Sequence, residues 1–192
     1  MINKLALLPL LTIALVAQAG VPSLAGIQAF PGVDNLPQAE DYSALTRYKR
    51  SIRFDVSTSG LDPLTPYTLW AVVFNDPRFC QSTPCSLADL SLSPGHDPRV
   101  DATIVFAGGG MSDAAGRGRF LGRVRKSGGR INSEIVLGTG TLNAKSAEVH
   151  AVIRAHGQPE AEQFLASLSS FNGGCSATNV CEDQQFAIHL AD

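Results

Sequence analysis

Apolar residues recur at every second position over several separate stretches of this chain. That period of two marks strands with one buried and one wet face. Ser51–Ser57 sets Ile52, Phe54 and Val56 on one side and Arg53 and Asp55 on the other. Ala147–Ala155 alternates most cleanly, with Ala147, Val149, Ala151, Ile153 and Ala155 inward and Glu148, His150, Arg154 and His156 on the opposite parity. Tyr67–Asn75 is apolar on both parities, as expected of a central strand covered on both faces. Asp101–Ala107 is a further apolar run, closed by Gly108-Gly109-Gly110. Phe120–Lys126 and Ser133–Gly138 form a hairpin around Ser127-Gly128-Gly129. Gln184–Leu190 ends the chain as a strand with Phe186, Ile188 and Leu190 inward, which leaves His189 outward.

The period changes once. Pro159 suits a first helical position, Phe164, Leu165, Leu168 and Phe171 then form an apolar stripe, and Asn172-Gly173 supplies a stop. A short helical turn is expected at Ser86–Leu90. Residues 20–46 carry Pro, Gly and Asn without a period and are expected to be an extended N-terminal segment. The pattern predicts a mainly β protein: a single-domain antiparallel β-sandwich over residues 47–192 with one short crossover helix.

One motif narrows that expectation. Gly60-Leu61-Asp62-Pro63-Leu64-Thr65-Pro66-Tyr67-Thr68-Leu69 resembles the tyrosine corner of fibronectin type III and related immunoglobulin-like domains. The resemblance implies an immunoglobulin-like sandwich in which the Tyr67 hydroxyl bonds back to upstream backbone and pins a turn between sheets. Only one clear strand precedes the motif, where that family has several, so the topology is left open. A broader resemblance rests on Tyr67–Asn75, Glu148–Gly157, Phe171–Cys175 and Cys181–His189. These segments are similar to a family of exported bacterial proteins of unknown function, which carries no activity to transfer.

The first residues have the three parts of a secretory leader. Lys4 is the positive start, Leu5–Val16 the apolar run, and Ala17-Gln18-Ala19 the small-residue cleavage pattern. The run is too short to span about 30 Å of hydrocarbon as a helix. Residues 1–19 are therefore expected to leave, placing the protein in a periplasm or outside the cell, with no membrane span afterwards. Four cysteines, Cys80, Cys85, Cys175 and Cys181, fit an oxidising compartment. Three pairings are open; local bridges Cys80–Cys85 and Cys175–Cys181 are favoured by their short Pro- and Gly-containing loops, with a four-thiolate zinc site as the competing use. The formal net charge is −2. Basic residues are scattered apart from Arg117–Lys126, which argues against a nucleic-acid partner.

Candidate chemistry is sparse. Glu148, His150, Arg154 and His156 share one face of a strand, and His189 lies on the outward parity of the last one. Pairing of those strands would set His150 and His189 beside each other as ligands for a transition metal, with Glu148 near by. His150 and His156 are six residues apart, roughly 20 Å along a strand, and cannot share an ion. Gly110-Met111-Ser112-Asp113-Ala114 stops one residue short of a nucleophile elbow and is expected to be a turn. Trp70, the single tryptophan, is expected in the core. The leading expectation is an exported non-catalytic binding or structural module with a protein or glycan partner and no cofactor. The alternative is a metal-binding protein or metal-dependent enzyme built on His150 and His189.

Overall fold

The computed structural model describes residues 20–34, 36–126 and 134–191. The expected leader and the Ser127-Gly128-Gly129 turn lie outside the described residues. The chain forms two antiparallel sheets packed face to face, a β-sandwich. Its strands are β1 (Ser23–Gly26), β2 (Gln28–Ala29), β3 (Tyr42–Tyr48), β4 (Ser51–Thr58), β5 (Pro66–Phe74), β6 (Ala102–Met111), β7 (Gly118–Arg125), β8 (Ile135–Leu137), β9 (Glu148–Ala155) and β10 (Glu182–His189). One sheet has four strands in the order β1-β3-β4-β7; the other has six, β2-β10-β9-β5-β6-β8. Residues 20–46 are not a separate extended segment: they supply β1, β2 and most of β3, and the chain steps from one sheet to the other between β1 and β2.

The inward parities meet as expected. Leu45, Ile52, Phe54, Val56, Phe120 and Val124 of the smaller sheet pack on Tyr67, Leu69, Val73, Val149 and Ile153 of the larger one. Every residue of β5 is buried, because this central strand is covered on both faces. Its second covering is a second core, in which Trp70, Val72, Phe74 and Val152 meet Val100, Leu90 and Cys85 from overlying loops. Trp70 is edge-on to both Phe106 and Phe171, and its Nε1–H donates to Thr68 Oγ1 at 2.8 Å. Both local disulfides are formed, Cys80–Cys85 and Cys175–Cys181, and both sit in loops of this covered side.

Three expectations need correction. Gly108-Gly109-Gly110 does not close a strand; it continues β6. A side chain at Gly108 would meet the Leu121 carbonyl and one at Gly109 the Leu168 carbonyl, so the glycines let two other backbones approach. The helix spans only Phe164–Ser167 (α1), in the connection between antiparallel neighbours β9 and β10. Ser169 and Ser170 hydroxyls donate back to the Leu165 and Ala166 carbonyls, offering an alternative to helical hydrogen bonds. Finally, the parity of β10 is reversed. Gln185, Ala187 and His189 face the space between the sheets, while Phe186 packs on the second core.

The turn before β5 is pinned by the side chains of Tyr67 and Ser112. The backbone N–H of Asp62 donates to the Tyr67 hydroxyl at 2.8 Å, so the tyrosine serves a backbone donor. Ser112 closes the same corner, donating to the Asp62 carbonyl and accepting from Thr65 N–H. Asp113 supplies the expected turn chemistry, accepting from Ala115 and Arg117 N–H.

Candidate functional site

The two expected metal ligands are on opposite faces of the six-stranded sheet. In the β9–β10 ladder His150 pairs with Ile188 and His189 with Val149. Directly paired residues share a face, so the one-residue offset puts His189 between the sheets and His150 on the covered outer side. They do not join in one site.

Each ring has its own partners. His189 is buried, with Ser23 Oγ at 3.0 Å from Nδ1 and Ser43 Oγ at 2.9 Å from Nε2. It therefore ties β10 to β1 and β3 across the sandwich. Burial, with the charge of Arg47 and His150 adding to it, pushes its pKa down to about 4. His156 follows β9 and is also buried; Nδ1–H donates to the Gly173 carbonyl at 2.7 Å. Trp70 can only donate to Thr68, so the Thr68 hydroxyl donates to His156 Nε2 at 2.7 Å. Burial lowers the pKa of His156 as well, and the chain Trp70–Thr68–His156–Gly173 is complete with a neutral ring.

Glu148 and His150 do come together. Glu148 is buried, and its Oε1 accepts from His150 Nε2 and from Cys85 N–H, both at 2.7 Å. The carboxylate thus holds the Cys80–Cys85 loop against the sheet. Arg154 pairs with Asp183 at 2.8 Å and lies over the Phe171 ring, its guanidinium carbon 4.2 Å from the centroid. Among the described residues, the sets of three donor atoms that converge closely enough for an ion are those of His156 with Cys175 and Cys181, and of Asp89 with Cys80 and Cys85. In both sets the two sulfurs are spent on a disulfide.

The outer face of the four-stranded sheet is a different surface. The outward parities of β4 and β7 hold Arg53, Asp55, Ser57, Arg119, Leu121, Arg123 and Arg125. Register sets Arg53 directly opposite Arg123, Asp55 opposite Leu121 and Ser57 opposite Arg119. Lys49 and Arg50 of the β3–β4 turn, and Lys126 after β7, are exposed at one end of the sheet. All seven of these Lys and Arg side chains are exposed. Among the described residues only Arg119 of the seven has a carboxylate partner: it forks onto Asp55 at 2.7 and 2.9 Å and holds that carboxyl below its usual range. The Arg53 guanidinium lies over the Tyr48 ring, 5.1 Å from its centroid. At the other end the face runs into a cleft of about 420 Å³, whose walls include Glu40, Ser57, Asp113, Arg117 and Arg119.

Two like charges directly across an antiparallel pair destabilise a sheet, and among the described residues neither Arg53 nor Arg123 has a carboxylate partner to offset the repulsion. The Arg117–Lys126 run was visible in the sequence. Its pairing with Arg53, from a strand far earlier in the chain, was not. Searches against protein-family models, curated proteins and solved structures find no match to this chain.

Proposed function

We propose that this chain is an exported, non-catalytic module that binds an anionic ligand through the outer face of its four-stranded sheet. The observation that carries the reading is the Arg53–Arg123 pair, set like against like on an exposed surface of a chain whose formal charge is −2. Binding of anions would relieve a repulsion that the free fold leaves in place. The non-catalytic half of the reading is supported by the histidines, whose nitrogens are engaged with Ser23, Ser43, Thr68, Gly173 and Glu148 inside the fold. The Tyr67 corner and the two-sheet architecture together support an immunoglobulin-like recognition module. The leader pattern and both disulfides support export to an oxidising compartment.

Binding to inorganic polyphosphate, followed by titration calorimetry at low and high salt, tests the proposal. The wild-type protein should bind at low salt and weaken as salt screens the face. The Arg53→Gln/Arg123→Gln/Arg125→Gln variant should bind about tenfold more weakly or less. Equal binding by this variant and the wild type would overturn the assignment of the face.

A further inference from the structure

Taking that anion-binding reading as its premise, we infer that the ligand is an extended acidic polysaccharide, carboxylated or sulfated, lying along β4 and β7. The layout of the charges excludes a single small anion as the fitting occupant. From Arg119 to Arg125 the cations span six residues of one strand, about 20 Å, and Arg53 adds a charge on the neighbouring strand about 5 Å away. Each of these groups stands in water, where one ion pair is worth little. Only a ligand that meets several at once gains from the arrangement.

The chemistry of the face selects among polyanions. Within the strands the cations are all arginine, whose planar fork matches carboxylate or sulfate oxygens two at a time. Tyr42, Thr46 and Ser57 share the outward parity and add hydroxyls that can hydrogen-bond a sugar. A single-stranded nucleic acid gains most from open aromatic faces on which its bases stack. Tyr48 already carries the Arg53 guanidinium, and Tyr42 lies toward the opposite end of β3. A lipid surface would need a cluster of apolar side chains to insert. Here Leu121 stands alone between Arg119 and Arg123, and Leu24 is three strands away, in the row Leu24–Ala44–Asp55–Leu121.

The test compares four probes on the full mature protein: a heparin-derived dodecasaccharide, a disaccharide of the same composition, a single-stranded oligodeoxynucleotide of equal charge, and phosphatidylglycerol vesicles. The dodecasaccharide should bind at least tenfold more tightly than the disaccharide and more tightly than the oligonucleotide or vesicles. Arg53→Gln/Arg123→Gln should lower that affinity about tenfold with an unchanged melting curve. Arg78→Gln/Arg99→Gln, which removes as much charge from exposed residues outside the face, should leave it intact. Tighter binding of oligonucleotide or vesicles, with the same dependence on Arg53 and Arg123, would overturn the polysaccharide and leave the anion-binding face standing. Equal affinity for disaccharide and dodecasaccharide would overturn the extended ligand. No binding of any polyanion would overturn both.

Discussion

The two sheets of the sandwich turn very different outer faces away from their common core. The six-stranded sheet is covered: Trp70, Val72 and Phe74 point outward from β5 into a second core, roofed by loops that both disulfides close. The four-stranded sheet leaves its outer face to water and lines it with Arg53, Arg119, Arg123 and Arg125. Both faces arise from strands with the same two-residue period. What differs is the composition of the outward parity, and that decides whether chain must be spent on covering it. A face with apolar outward residues has to recruit loops, which the disulfides then fix. A face with charged outward residues is free to meet a partner.

The comparison is broken most forcefully at Trp70. Its ring is buried beneath the loops, between Phe106 and Phe171, and its indole N–H anchors the Thr68–His156 chain. Trp70→Ala should destabilise the protein by about 3–5 kcal/mol in urea unfolding, from lost burial and the cavity left behind. A loss of less than about 1 kcal/mol would mean that the loops merely drape over the sheet, and the contrast between the faces would lose its energetic basis.

Acid should act on the buried histidines before it acts on the exposed carboxylates. His189 has its pKa lowered to about 4 in the fold, against an ordinary value of 6.5. The unfolded chain therefore takes up the proton first as the pH falls. The stabilisation is full above about pH 6.5, is lost progressively between 6.5 and 4, and is gone below that. The difference corresponds to roughly 3 kcal/mol. Burial shifts His156 in the same direction, so it adds to the slope. Asp55, Asp97 and Asp113 have carboxyls held down by arginine partners or backbone N–H groups and lose their protection only at lower pH. Urea midpoints measured from pH 7.5 to 4.5 should fall steadily below 6.5. A flat profile over that range would show that His189 is not held neutral between the sheets.

Much of the fold was legible in the sequence because alternation is a local signal. β4, β5, β7 and β9 match the expected Ser51–Ser57, Tyr67–Asn75, Phe120–Lys126 and Ala147–Ala155 to within two residues at each end. β10 was misread because its inward residues are polar. Gln185 accepts from Thr58 Oγ1 and donates to the Ser59 carbonyl, and His189 meets Ser23 and Ser43, so both are satisfied by groups of the opposite sheet. Such partners cannot be seen from β10 alone, and phenylalanine on the other parity points to the wrong core when two cores exist. The same blindness to register separated His150 from His189. It also hid the arginine face, since Arg53 and Arg123 become neighbours only when β4 pairs with β7.

The smallest expected effect sharpens the comparison most, because its sign differs. Arg123 is exposed, faces Arg53 across the ladder, and among the described residues hydrogen-bonds only the Ser51 hydroxyl, at a long 3.4 Å. Removing its charge takes away a repulsion and almost no packing. Arg123→Gln should leave the melting temperature unchanged or raise it by about a degree at low salt. The gain should shrink as added salt screens the pair. A core-like loss of several degrees would make Arg123 a structural residue, holding the β3–β4 turn through Ser51. The bare face would then be built for stability, as the covered one is, and its arginines would need no ligand to account for them.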